Sequence, residues 1–135
     1  MSGIALAEAA RALVGSPYRR DGRDPATGLD CLGVIAVALT AIGRSASLPA
    51  RSTLRRRELP DLEAIAGASG LLRAGRQMEA GDILLVRCSP VQWHALVAAT
   101  ADRFVHAHAG LRRVVLGPAD PAWAPAGHWR LLSIL

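Results

Sequence analysis

The sequence predicts an α+β domain in which N-terminal helices pack on one antiparallel sheet. Up to Gly43 the apolar residues fall at helical spacing, whereas after Gly81-Asp82 they form short β-type runs separated by turn residues. Helices gathered in one half and strands in the other indicate segregated layers, not alternating βαβ units. At 135 residues the chain fits a single domain, 1–135, long enough to bury a core without disulfide staples.

The first helix is expected over Ile4 to Val14, where Ile4, Leu6, Ala9, Ala10, Leu13 and Val14 share a face, with Gly15 as its stop. Ser16 to Gly28, rich in Gly, Pro and Asp, reads as a loop that walls the segment after it. Asp30-Cys31-Leu32-Gly33 opens a second helix, Cys31 to about Ala41, apolar on every side as befits an element surrounded by others. Gly43 ends it. Arg44 to Pro60 reads as an exposed connection, with Arg55-Arg56-Arg57 a solvated charged stretch or, alternatively, a contact to an anionic polymer or partner, into a helix from about Asp61 to Ala66 or beyond. Strands are expected at Ile83 to Cys88, His94 to Ala99, Phe104 to His108, Arg112 to Leu116 and Trp129 to Ile134.

All 16 basic residues are arginine, and the net charge of +5 favours anionic partners without choosing among them. The arginines join no recognisable nucleic-acid motif, so no nucleic acid is expected as a partner. No run reaches the roughly 20 apolar residues of a membrane span. Met1 to Glu8 lacks the basic start and apolar stretch of a secretory leader, so export by its own signal is not expected. Cys31 and Cys88 read as free thiols, Cys88 as a packed strand residue. Trp129 is expected to pack in the last strand, and His128 to be a surface or packing histidine.

A thiol at a helix start meets unpaired N–H groups and the positive end of the helix dipole, which favour the thiolate. Cys31 is therefore the candidate nucleophile. A cysteine nucleophile needs a base and a group that orients the base, and histidine is the natural base near neutrality. His94, at the start of an apolar strand and beside Trp93, is the candidate base. A three-residue turn at Thr100 to Asp102 pairs Ala99 with Arg103, Leu96 with His106 and His94 with His108, and puts these last four residues on one face. A two-residue turn moves His106 to the other face. Counting leaves His106 and His108 both open as the orienting residue. A zinc site from Cys31, His94, His106 and His108 lacks the close second ligand pair of a structural site, so no metal or cofactor is expected.

The ordered segments Gly15-Ser16-Pro17-Tyr18, Asp30-Cys31-Leu32-Gly33, Gly81-Asp82-Ile83-Leu84, His94-Ala95-Leu96-Val97 and Phe104-Val105-His106-Ala107 resemble the NlpC/P60 cysteine peptidases. The likeness is nearest to the short form found in phage and gene-transfer-agent tails. It implies a papain-like α+β fold, with Cys31 as nucleophile, His94 as base and His106 as third polar residue. It also implies that Tyr18 lines the site near the oxyanion, and that Asp30 binds substrate or holds the loop. Trp93, beside the base, is expected at the cleft rim. The implied reaction is hydrolysis of an amide bond in peptidoglycan stem peptides, commonly between γ-D-glutamate and the diamino acid. The implied partners are peptidoglycan and tail tip or hub proteins, and the implied location is a tail particle acting on the cell wall in the periplasm. This chain has Leu32 where the family usually has Ser, Leu96 where it usually has Gly, and Arg19-Arg20-Asp21-Gly22 after Tyr18. A structural tail adaptor with the same fold, and a cysteine-dependent amidase or acyltransferase on another substrate, are the alternative functions.

Overall fold

The apolar stripe of the first segment forms helix α1, Ser2–Arg11, in the computed structural model, which describes residues 2–44, 48, 62–75 and 77–131. The helix ends short of Val14 because the Leu13 and Val14 amides bond the carbonyls of Ala10 and Arg11, three residues back, in a tightened last turn. Gly15 then turns the chain at φ 94°. The expected loop is partly strand: β1, Arg23–Asp24, pairs antiparallel with β2, Gly28–Leu29. Helix α2, Cys31–Ala41, follows at once, and α3 spans Leu62–Ala68. Arg55 to Arg57 and most of the connection around them lie outside the described residues.

The remaining strands are β3, Leu71–Arg73; β4, Ile83–Ser89; β5, Gln92–Ala98; β6, Phe104–His108; β7, Arg113–Gly117; and β8, Ala124–Leu131. They form an antiparallel sheet in the order β3-β8-β4-β5-β6-β7. Two features escaped the sequence reading. β3 is only three residues long, and β8 begins at Ala124 instead of Trp129. Pro125, Ala126 and Gly127 look like turn residues, but a register shift opposite Leu85 and Val86 absorbs the proline within the strand.

Strand alternation divides the core. Ile83, Leu85, Ala95, Val97, Val105, Ala107 and Val114 cluster with Leu6 and Ala10 of α1 and Val34, Ile35, Ala38 and Leu39 of α2. On the other side Val86, Leu96, Ala98 and Phe104 form a smaller cluster, joined by Leu84, Cys88 and Trp123. The helices thus cover one face, and a loop from the end of the sheet covers part of the other.

A buried carboxylate ties the last strand to the start of β4. Asp82 is 1% exposed; it accepts from His128 Nε2 at 2.6 Å, from Arg130 Nε and Nη2 at 2.9 Å each, and from the Glu79 amide at 2.9 Å. Burial alone would raise its pKa, but the bonds from Arg130, His128 and Glu79 outweigh burial and hold it below 3.8. His128 is therefore a clasp between elements, beyond the packing role expected of it. Asp82→Ala is expected to lower the urea-unfolding free energy at pH 7 by about 2 kcal/mol, since it removes the acceptor shared by His128 and Arg130 and leaves Arg130 only the Gln77 carbonyl and Glu79 among the described residues. The contribution of this carboxylate is present above its unfolded pKa and is lost as pH falls through the lower folded value. The wild-type and Asp82→Ala stability curves should converge in acid.

Candidate active site

Cys31 is the first residue of α2, and the preceding backbone fixes it there. Asp30 is extended (φ −99°, ψ −172°) and caps the helix, its Oδ1 accepting from the Gly33 amide at 2.8 Å. Its Oδ2 accepts from the Asp21 amide at 2.9 Å, and Arg23 Nη1 stands 3.8 Å from Oδ1. Asp30 is fully buried, with its two oxygens shared between loop and helix. Gly33 serves the same junction. A Cβ there would lie 2.1 Å from the Gly22 carbonyl oxygen, so only glycine lets the loop cross the first helical turn this closely. Cys31 itself is 1% exposed and belongs to the main core cluster.

The histidines come from the neighbouring layer. The hairpin turn holds three residues: Val97 pairs with Val105 and Ala98 with Phe104, and the Ala99 amide bonds the Arg103 carbonyl at 2.8 Å. That register places His94, Leu96, His106 and His108 on one face. His94 Nε2 and His106 Nδ1 lie 2.9 Å apart, with ring centroids 5.1 Å apart at 72°. The next residue on each strand, Ala95 or Ala107, joins the core cluster that contains Cys31. Helix α2 crosses the same two strands. The structure thus brings His94 and His106 together directly, and sets Cys31 in the core layer their strands carry.

Burial, and then the electrostatic influence of the neighbouring His108, lower the pKa of His106 to about 4, so His106 is neutral near pH 7. This fixes the proton arrangement of the pair. If His94 is protonated it donates from Nε2, so His106 accepts at Nδ1 and carries its own proton on Nε2. His106 can orient a charged His94 without competing for its proton.

Beside the pair lies a cleft of about 200 Å³ lined by Gln92, His94, His106, His108, Gly110 and Trp123. Cys88, read as a packed strand residue, also borders it and is half-buried. Trp93 packs against the main core with Arg87 over its ring, whereas the aromatic ring beside the histidines is Trp123, 5.4 Å from His94 and 5.9 Å from His106. A turn positions Trp123: its amide bonds the Asp120 carbonyl at 3.0 Å. No periodicity marks Trp123, because it sits in a loop. Tyr18 bridges Leu29, two residues before Cys31, and its half-buried side chain packs on the main core. Leu32 and Leu96 are both buried, in the main and the smaller cluster respectively, so both departures are absorbed by packing.

No protein-family model matches the chain, and no curated protein matches it in sequence. Solved structures do match. The NlpC/p60 domain of the peptidoglycan hydrolase SagA superposes with a TM-score of 0.66 at 23% identity, over 99% of this chain and 100% of that one. The architecture is the NlpC/P60 fold. NlpC2 from Trichomonas vaginalis shares it with a TM-score of 0.71 at 16% identity, over 98% of this chain, which spans 47% of that protein's length. RipB, a peptidoglycan hydrolase from Mycobacterium tuberculosis, gives 0.59 at 18% identity, over 98% of this chain and 66% of that one. The papain-like α+β class expected from the sequence is therefore the class of this NlpC/P60 fold.

A histidine whose folded pKa is depressed binds fewer protons than the unfolded chain between the two values, so stability rises with pH across that window. His106 should contribute a loss of about 3 kcal/mol as pH falls from 6.5 towards 4. Urea unfolding across this range should show the slope in the wild type, and a shallower one in His106→Asn.

Proposed function

We propose that this chain is a cysteine peptidase that hydrolyses an amide bond in peptidoglycan stem peptides. The observation that carries the reading is the His94–His106 hydrogen bond, beside a layer whose capped helix begins with Cys31. The structural neighbours SagA and RipB, both described as peptidoglycan hydrolases, support the substrate class.

In this mechanism the Cys31 thiolate, formed by proton transfer to His94 Nδ1, attacks the substrate carbonyl. The first-turn N–H groups of α2 that Asp30 does not take up stabilise the oxyanion, and Tyr18 is assigned to line the same side, as the sequence resemblance implies. His94 then protonates the leaving amine, the C–N bond breaks, and a thioester remains on Cys31. Water, deprotonated by His94, attacks the thioester and releases the acid and the thiol. His106 holds the His94 ring throughout. It is a positioning residue, as is Asp30.

The bond we assign is the one between γ-D-glutamate and the diamino acid. The setting we assign is a phage-like or gene-transfer-agent tail, whose tip or hub proteins would carry the chain to the periplasmic face of the wall. The sequence resemblance supports both assignments. Incubation of purified peptidoglycan with wild type, Cys31→Ala and His94→Ala, followed by mass spectrometry of the released fragments, tests the reading. Wild type should release fragments newly ended at D-glutamate. Each variant should be at least about 1,000-fold slower. Equal inactivity of all three would leave a structural tail component as the better account, and release at another bond would favour an amidase of different specificity.

A further inference from the structure

His108 is left over by the mechanism, yet it is built into the cleft. It follows His106 by two residues on the same face of β6, and the two ring centroids are 5.9 Å apart. Its Nδ1 accepts the Leu111 amide at 3.0 Å. That bond settles the tautomer: Nδ1 is the acceptor, so the neutral ring carries its proton on Nε2. The hairpin is shaped around the ring, since a Cβ on Gly110 would lie 3.1 Å from His108 Cε1. A half-buried ring of fixed tautomer, lining a cleft beside the base, is a preorganised donor. The surroundings are cationic. Arg113 pairs with His108 across β7, and Arg112, at φ 60°, turns the chain between them. Both arginines are exposed. On the neighbouring loop, the Tyr18 amide bonds the Arg112 carbonyl at 2.9 Å, and the next two residues in the chain, Arg19 and Arg20, are exposed.

We propose that His108 recognises a free carboxylate of the substrate peptide by donating from Nε2, with Arg112 and Arg113 supplying the positive rim. This deepens the peptidoglycan reading and rests on it. Stem peptides whose carboxyl groups are free would be preferred over the same peptides carrying carboxamides, because an amide removes both the charge and one acceptor oxygen.

The test measures binding by isothermal titration to the full chain carrying Cys31→Ala, with a stem peptide as free acid and as amide. The expected preference for the free acid is about tenfold. His108→Asn retains an acceptor near Nδ1 for the Leu111 amide but lacks a donor at Nε2, so it should fold and lose the preference. His108→Gln places an N–H near Nε2 and should restore part of it. A preference that survives His108→Asn, or its absence from the Cys31→Ala protein, overturns the inference while the peptidase reading stands. Failure to bind either peptide, together with inactivity of the wild type on peptidoglycan, overturns both. Inorganic phosphate competing as well as the free acid would make this a general anion site and overturn the peptide assignment.

Discussion

The carboxylate of Asp30 joins the two pieces of chain that define the position of Cys31. One oxygen caps the start of the helix through the Gly33 amide and the other holds the loop at Asp21. Neither piece would hold this geometry unaided: a loop of arginines, glycines and aspartates has no core of its own, and an eleven-residue helix is marginal without packing. Gly33 completes the junction by admitting the Gly22 carbonyl. The segment Asp-Cys-Leu-Gly therefore has a mechanical reason for three of its four residues, independent of any chemistry at the thiol. Leu32 anchors the turn in the core, Asp30 caps it, and Gly33 clears the space.

The second constraint is strand register. A three-residue turn at Thr100 to Asp102, with the Thr100 hydroxyl accepting from the Arg103 amide at 3.1 Å, sets the register in which Val97 pairs with Val105 and Ala98 with Phe104. From that follow the hydrogen bond between His94 and His106, the place of His108 in the cleft, and the layer of small residues, Ala95 and Ala107, on the helix side. A one-residue slip would send both His106 and His108 into the apolar layer under α2, where uncompensated imidazoles are costly. The apolar pattern of β5 and β6 therefore helps to enforce the arrangement of the histidines.

Helix α2 and the strands β4 to β7 were legible because short-range rules govern them: a cap before an apolar run, alternation, and turn residues at regular intervals. The choice between two turn lengths was not legible, since it depends on how the hairpin packs. Asp82 shows the same division. Its Gly-Asp setting marked a strand start, but its partners His128 and Arg130 lie 46 and 48 residues away, and only the sheet order brings them together. Trp123 and the start of β8 were hidden by Pro, Gly and Ala, which locally signal turns. The short β3 carries too few residues for any periodicity.

The proposed chemistry requires Cys31 and His94 to act as one ionisable pair. The direct measurement is the rate of iodoacetamide alkylation at Cys31 against pH, followed by mass spectrometry in a Cys88→Ser background, with and without His94→Ala. With His94 present, alkylation should keep its thiolate plateau well below the ordinary thiol pKa of about 8.5. With His94 removed, the rate should fall on a curve centred near that value. Superimposable curves for the two proteins would contradict it.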